Sequence, residues 1–157
     1  MTNLYALDIA TKTGWASLID GNLRSGVFDT SEYDDEGQRG FAWGEWLFGK
    51  LVNIDFVYIE TAFNTGFGKT DYRLNGMQYI AHMIAWHCHG VERRTVPPTT
   101  LKKHTTGSGK ASKKQMVEAV VKWGLAPADD NEADALALLD YACHQLNLPP
   151  ISGVQVA

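Results

Sequence analysis

The chain has 157 residues, 45% of them hydrophobic and 20% charged, with a net charge of −4. That length suits one domain, 1–157, with enough core to fold without staples, and no low-complexity run or repeat period points to a fibrous or disordered class. Cys88 and Cys143 stand far apart with no C-x-x-C spacing, which argues against a zinc site and for a reduced, cytoplasmic protein. The first residues carry neither a basic region nor a long apolar one, and no stretch approaches the roughly 20 apolar residues of a membrane span, so neither secretion nor a membrane is expected.

Leu4 to Asp8 is apolar and alternating and predicts a strand, as does Gly14–Ile19. Gly21-Asn22 is a turn signal before a third strand, Arg24–Phe28, giving an antiparallel meander. Acidic Asp29–Gln38 reads as a loop. Phe41, Trp43, Trp46, Leu47 and Leu51 fall near helical spacing, predicting a helix over Phe41 to Leu51 whose two tryptophans pack it on the sheet. Phe56–Ile59 is a short buried strand ending at Glu60. Gly66 and Gly68 mark a loop, and Leu74 to Cys88 reads as a helix with Met77, Ile80, Ala81, Ile84 and Ala85 along one face. Gly76 in that helix would permit close approach of a second helix, as at a dimer contact. His82, His87 and His89 read as structural.

Val91–Val96 predicts another strand, closed by Pro97-Pro98, and a polar loop rich in Thr, Gly and Lys follows. Ser112 can cap a helix Lys113–Gly124, and Asn131–Leu146 is a last helix with a strongly apolar face. The order predicts an α/β protein: a mixed five-stranded sheet, three antiparallel strands then parallel ones, flanked by helices, as in an RNase H-like domain.

Charge is unevenly spread. Between Lys102 and Lys122 stand six lysines and one acid, Glu118, while acids gather at Asp29–Glu36 and Asp129–Asp134. A basic patch beside an acidic pocket suits an enzyme that holds a polyanion and binds metal, although a solvated helix face also explains the lysines. Magnesium and manganese take hard oxygen ligands from rigid elements. Three places qualify: Asp8 at one strand end, Glu60 at another, and Asp134 in the last helix with Asp130 four residues and Asn131 three residues before it. Singly, each also reads as a loop start or a helix cap. Asp134, flanked by Ala133, Ala135, Leu136 and Ala137, is costly to bury unpaired, and a metal ion would remove that cost.

Leu7-Asp8-Ile9-Ala10-Thr11-Lys12-Thr13-Gly14-Trp15-Ala16 resembles the first motif of the RuvC-type Holliday junction resolvases, an Asp, a polar loop and a Thr-Gly-aromatic step. Ile59-Glu60-Thr61-Ala62-Phe63 resembles their second motif, and Lys102 through Gln115 their basic segment. Asn131-Glu132-Ala133-Asp134-Ala135-Leu136-Ala137 is similar to the fourth, except that Asn131 stands where the family has an Asp. The short chain looks like the phage and viral members.

The resemblance implies a homodimeric endonuclease that resolves four-way junctions, or cuts other branched DNA such as flaps and forks, by phosphodiester hydrolysis with two magnesium or manganese ions. It assigns Asp8, Glu60, Asp134 and Asp130 as ligands, with Asn131 as a weaker alternative to Asp130. Lys102 and Lys113 would neutralise charge at the scissile phosphate. Phe63 and Phe67 read either as aromatics that stack on bases or as core or dimer-contact residues, and Lys69 and Arg73 either as phosphate contacts or as a plain surface face. Lys103, Lys110 and Lys114 would meet phosphates, and His104 is a further candidate. Two other classes remain open: an inactive branched-DNA-binding module, made thinkable by Asn131, and an actin-like ATP-binding domain, which would need a second phosphate loop and a longer chain.

Overall fold

A computed structural model describes residues 1–61, 68–88 and 90–153, the side chains of Lys69 and Thr70 excepted. Five strands, β1 (Leu4–Asp8), β2 (Lys12–Ile19), β3 (Asn22–Asp29), β4 (Phe56–Glu60) and β5 (Glu92–Val96), form one sheet in the order β3-β2-β1-β4-β5. β1, β2 and β3 are antiparallel, while β4 runs parallel to β1 and β5 parallel to β4. The expected mixed sheet is present. The β2–β3 turn uses Asp20 and Gly21 at φ 51° and 80°, the left-handed pair that a tight hairpin needs.

The helices are α1 (Glu36–Lys50), α2 (Lys69–His87), α3 (Pro98–Thr106), α4 (Lys113–Lys122) and α5 (Asp130–Gln145), with a 3-10 turn at Ile151–Gly153. Three differ from expectation. α1 begins inside the expected acidic loop because Asp35 caps it, its carboxylate accepting from the Gln38 N–H at 2.9 Å. α2 begins before Leu74, at Lys69. α3 occupies the stretch read as a polar loop. Pro98 starts it with a pre-set φ, and Gly107 at φ 83° ends it in the left-handed conformation. Only Leu101 is buried in that helix, so almost no apolar period announces it. α4 carries the expected Ser112 cap, as a full capping box with Gln115.

Strand alternation sends successive side chains to opposite faces, and each face has its own core. Leu4, Ala6, Ala16 and Tyr58 meet α3, α4 and α5 through Leu101, Met116, Val120, Ala133, Ala137 and Leu138. Tyr5, Leu7, Val57 and Ile59 meet α1 and α2 through Trp43, Leu47, Met77 and Ala81. Trp43 is fully buried, donating its indole N–H to the Thr13 hydroxyl at 2.9 Å, while that hydroxyl donates to the Ala10 carbonyl at 2.8 Å. Trp46 stacks on Phe28 with ring centroids 4.5 Å apart, so both tryptophans do pack α1 on the sheet. Phe41, counted with them in the sequence, points outward and is exposed. Among the described residues no helix is long and apolar enough to cross a membrane.

Candidate active site

The alternation that builds the two cores also selects the site. Asp8 has the parity of Leu4 and Ala6, and Glu60 has that of Tyr58, so both face the α5 side of the sheet. Both also end parallel strands, and the crevice beyond carboxyl strand ends is where open α/β sheets place their ligands. Asp130 and Asp134 lie one turn apart at the start of α5, held there by the Asp129 cap, whose carboxylate accepts from the Glu132 N–H at 2.8 Å.

Glu132 anchors the same turn. Buried, it accepts from the Ser25 hydroxyl at 2.6 Å and from the Ala128 N–H at 2.7 Å, tying the α5 entry to β3. This residue was not singled out in the sequence, where nothing marks a partner 107 residues away.

The carboxylates feel one another. Burial lifts the Asp8 carboxyl well above the usual range, and the nearby Glu60 and Asp134 charges add to the rise. Glu60 is pushed up to about 7, first by burial and then by Asp134, with Lys102 and Lys113 opposing. Asp134 is raised to about 6 by burial and then by Asp130, again against Lys113 and Lys102. Such a set cannot ionise together cheaply without added positive charge.

Lys113 supplies part of that charge. Its ammonium is bonded to the Asp130 carboxylate, which holds Asp130 below the usual range and raises the lysine. Asp130 also acts on Asp8 and Asp134, so of the two candidates for the last ligand it belongs to this electrostatic neighbourhood. Asn131 packs its backbone against β2 instead.

The donor set fits a hard divalent cation. Glu60 Oε2 is buried and accepts no hydrogen bond, an unmet acceptor that costs about 1–3 kcal/mol unless something positive faces it. All the other donors are carboxylate oxygens, the chemistry that magnesium and manganese prefer. Among the described residues, no three His, Cys, Asp or Glu side chains are already drawn into a closed ligand cluster. They stand as electrostatic neighbours, and holding an ion would require their rotamers to converge.

Around this centre the remaining candidates separate. Lys102, on α3, acts on Glu60 and Asp134. Lys103 and Lys110 are exposed on the same segment, and Lys114 is exposed with Glu118 at 3.8 Å. Arg73 is committed elsewhere: its guanidinium holds Glu36 at 2.5–3.2 Å and donates to the Thr11 hydroxyl at 2.9 Å. That clamp joins α1, α2 and the loop after β1, a connection no local pattern marks. His104 is likewise engaged, with Asp140 at 2.9 Å. Phe63 and Phe67 lie outside the described residues, as does His89, and of Lys69 only the backbone is described.

No family model matches the sequence, and no curated protein matches it closely enough to count. Solved structures do. RuvC of Thermus thermophilus in complex with a Holliday junction substrate aligns at TM-score 0.75 and 20% identity, over 92% of this chain and 97% of that one. A second Thermus thermophilus RuvC structure aligns at 0.68 and 18% identity over 95% and 99%. The yeast mitochondrial Holliday junction resolvase Ydc2 aligns at 0.60 and 14% identity over 87% and 75%. The chain therefore has the fold of the RuvC-type resolvases, an RNase H-like mixed sheet flanked by helices.

Proposed function

We propose that this protein is a divalent-metal-dependent endonuclease that resolves branched DNA, four-way junctions first among the substrates. The observation that carries the reading is the electrostatic neighbourhood of Asp8 and Glu60, at strand ends on one face of the sheet, with Asp134 on α5 across that face, each carboxyl raised by burial and by its neighbours. The fold neighbours lend it context, one of them having been solved on a Holliday junction.

In this reading Asp8, Glu60, Asp130 and Asp134 hold magnesium or manganese. Bound ions of this kind polarise a water and offset charge on a leaving oxygen. Lys113 keeps a proton at Nζ and turns from Asp130 to the phosphate, where it and Lys102 meet the negative charge that grows during cleavage. Lys103, Lys110 and Lys114 take backbone phosphates along the flank, an attraction that weakens with salt.

The protein acts as a homodimer, which gives two sites for two nicks across one junction. Support comes from α2, where Tyr72, Tyr79, Met83 and Trp86 are exposed by 75%, 75%, 52% and 70%. With bare Gly76 they recur at spacings of four and three, the a/d stripe of a helix seam.

The test incubates labelled four-way junction, flap, linear duplex and RNA–DNA hybrid with magnesium or manganese. Junction cleavage is expected, and Asp8→Asn lowers its rate on the order of a thousandfold. Equal cutting by Asp8→Asn protein refutes the assignment, and junction binding without cleavage at any metal concentration marks an inactive binding module. Light scattering should find twice 17.4 kDa for the parent, and a monomer for Tyr79→Glu.

A further inference from the structure

The Thr-Gly-aromatic step of the first motif holds no candidate ligand, and of its three residues Gly14 is the one that looks toward α5, Trp15 packing on the α1 and α2 face. Thr13 and Trp43 lock the loop that follows Asp8. Trp15 stacks on Tyr5 with ring centroids 5.9 Å apart. Gly14 is the register partner of Asp8 across β1 and β2, and it has the parity of Ala16, so the face it presents looks toward α5. A Cβ there would overlap the carbonyl carbon and oxygen of Asn131 outright and stand 2.8 Å from the Glu132 nitrogen.

The clash is with backbone, so no rotamer change relieves it. The left-handed conformation is not the reason for glycine here, since Gly14 is not among the positive-φ glycines. What the site requires is a missing side chain. Asn131 and Glu132 lie between Asp130 and Asp134 in the same turn, so the seat that Gly14 provides sets how near those carboxylates come to Asp8.

We propose that Gly14 is a positioning residue for the metal site: the bare backbone at that position fixes the separation between Asp8 and the α5 carboxylates. Any side chain lifts the first turn of α5 from the sheet and withdraws Asp134 from the ion. The inference rests on the metal-dependent reading above and concerns a residue that touches neither metal nor substrate.

Manganese binding by calorimetry tests it, with no substrate present. The parent's own isotherm judges the reading on which the inference rests: no saturable binding overturns both. Given parental binding, Gly14→Ala should keep its circular dichroism spectrum and weaken manganese affinity at least about tenfold. Asp134→Glu in that background, a carboxylate one methylene longer, should recover most of the loss, while Asp134→Glu alone should weaken the parent. Gly26→Ala is the matched control. Its Cβ would meet the Trp15 ring at 3.1 Å rather than α5, so it should lower thermal stability and leave affinity unchanged. Parental affinity in a folded Gly14→Ala, or a double variant no better than the single, overturns the inference. Should Gly14→Ala not fold, Asp134→Glu alone decides: unchanged affinity means the separation is not critical and the inference fails.

Discussion

Two glutamates in this molecule have opposite fates. Glu36, at the start of α1, is gripped by Arg73 and Arg39, and those hydrogen bonds pull its carboxyl down to about 2. Glu60, at the end of β4, has one oxygen buried without a donor, and burial with the Asp134 charge pushes it up to about 7. The same side chain is a structural tie in one place and an unsatisfied charge in the other. The difference sets Glu60 apart as a candidate ligand. The Glu36 charge is met by two arginines, whereas Glu60, like the Tyr5 hydroxyl on the other face, keeps a buried polar atom without a partner among the described residues. Of those two, Glu60 alone carries a carboxylate beside other carboxylates.

The largest contrast should come from neutralising each in turn. Glu60→Gln should cut junction cleavage roughly a hundredfold or more, with no fall in the melting temperature of metal-free protein at pH 7.5. Glu36→Gln should do the reverse, lowering the melting temperature by several degrees while manganese affinity in calorimetry stays within about twofold. A Glu36→Gln protein that loses metal binding would erase the distinction.

Next in size is the response to the ion. At a hundred times its dissociation constant a ligand adds about 2.7 kcal/mol, on the order of 5–10 °C for a chain of this size. Scanning calorimetry of the parent at pH 7.5 with manganese should show that rise, and Glu60→Gln only a small part of it.

Acidity should separate the two regions by sign. The folded pKa values of Glu60 and Asp134, about 7 and about 6, lie above their ordinary 4.5 and 3.8. Their contribution is thus fully present below about pH 4 and is lost as pH rises through 6 and 7. Glu36 is depressed, so its contribution is present above 4.5 and disappears as pH falls through about 2. Metal-free melting temperatures followed from pH 4.5 to 7.5 should therefore decline more in the parent than in Glu60→Gln. The smallest effect belongs to Lys114→Ala, whose exposed pair with Glu118 at 3.8 Å should cost less than about 0.5 kcal/mol in denaturant unfolding.

Much of this was readable from local pattern. The run Leu4 to Asp8 and the run Phe56–Ile59 announce strands because short apolar runs, with Val57 and Ile59 β-branched in the second, act over four or five positions, and each run ends at an acid, Asp8 or Glu60. The α5 acids stand out because alanines and leucines surround them. α3 is not legible locally because a helix of nine residues that buries only Leu101 leaves no period to count. Arg73 reads locally as a phosphate contact or a plain surface residue because its partners are Glu36, 37 residues before it, and Thr11, 62 before. Gly14 was legible as part of a motif, but its reason lies in Asn131, which the fold alone brings to it.

In the proposed reading, α3 changes the thermodynamics of meeting a polyanion. Ordering a flexible residue costs roughly 1–2 kcal/mol in lost conformational freedom, so a nine-residue basic loop would lose on the order of 10 kcal/mol when it wrapped a phosphate backbone. Here Pro98 opens that stretch, Gly107 closes it, and the Ser112 box starts the next helix, so Lys102, Lys103 and Lys113 stand on scaffolding already built. The backbone entropy is already lost on folding, so in the proposed reading only the lysine side chains remain to be ordered when they meet a phosphate.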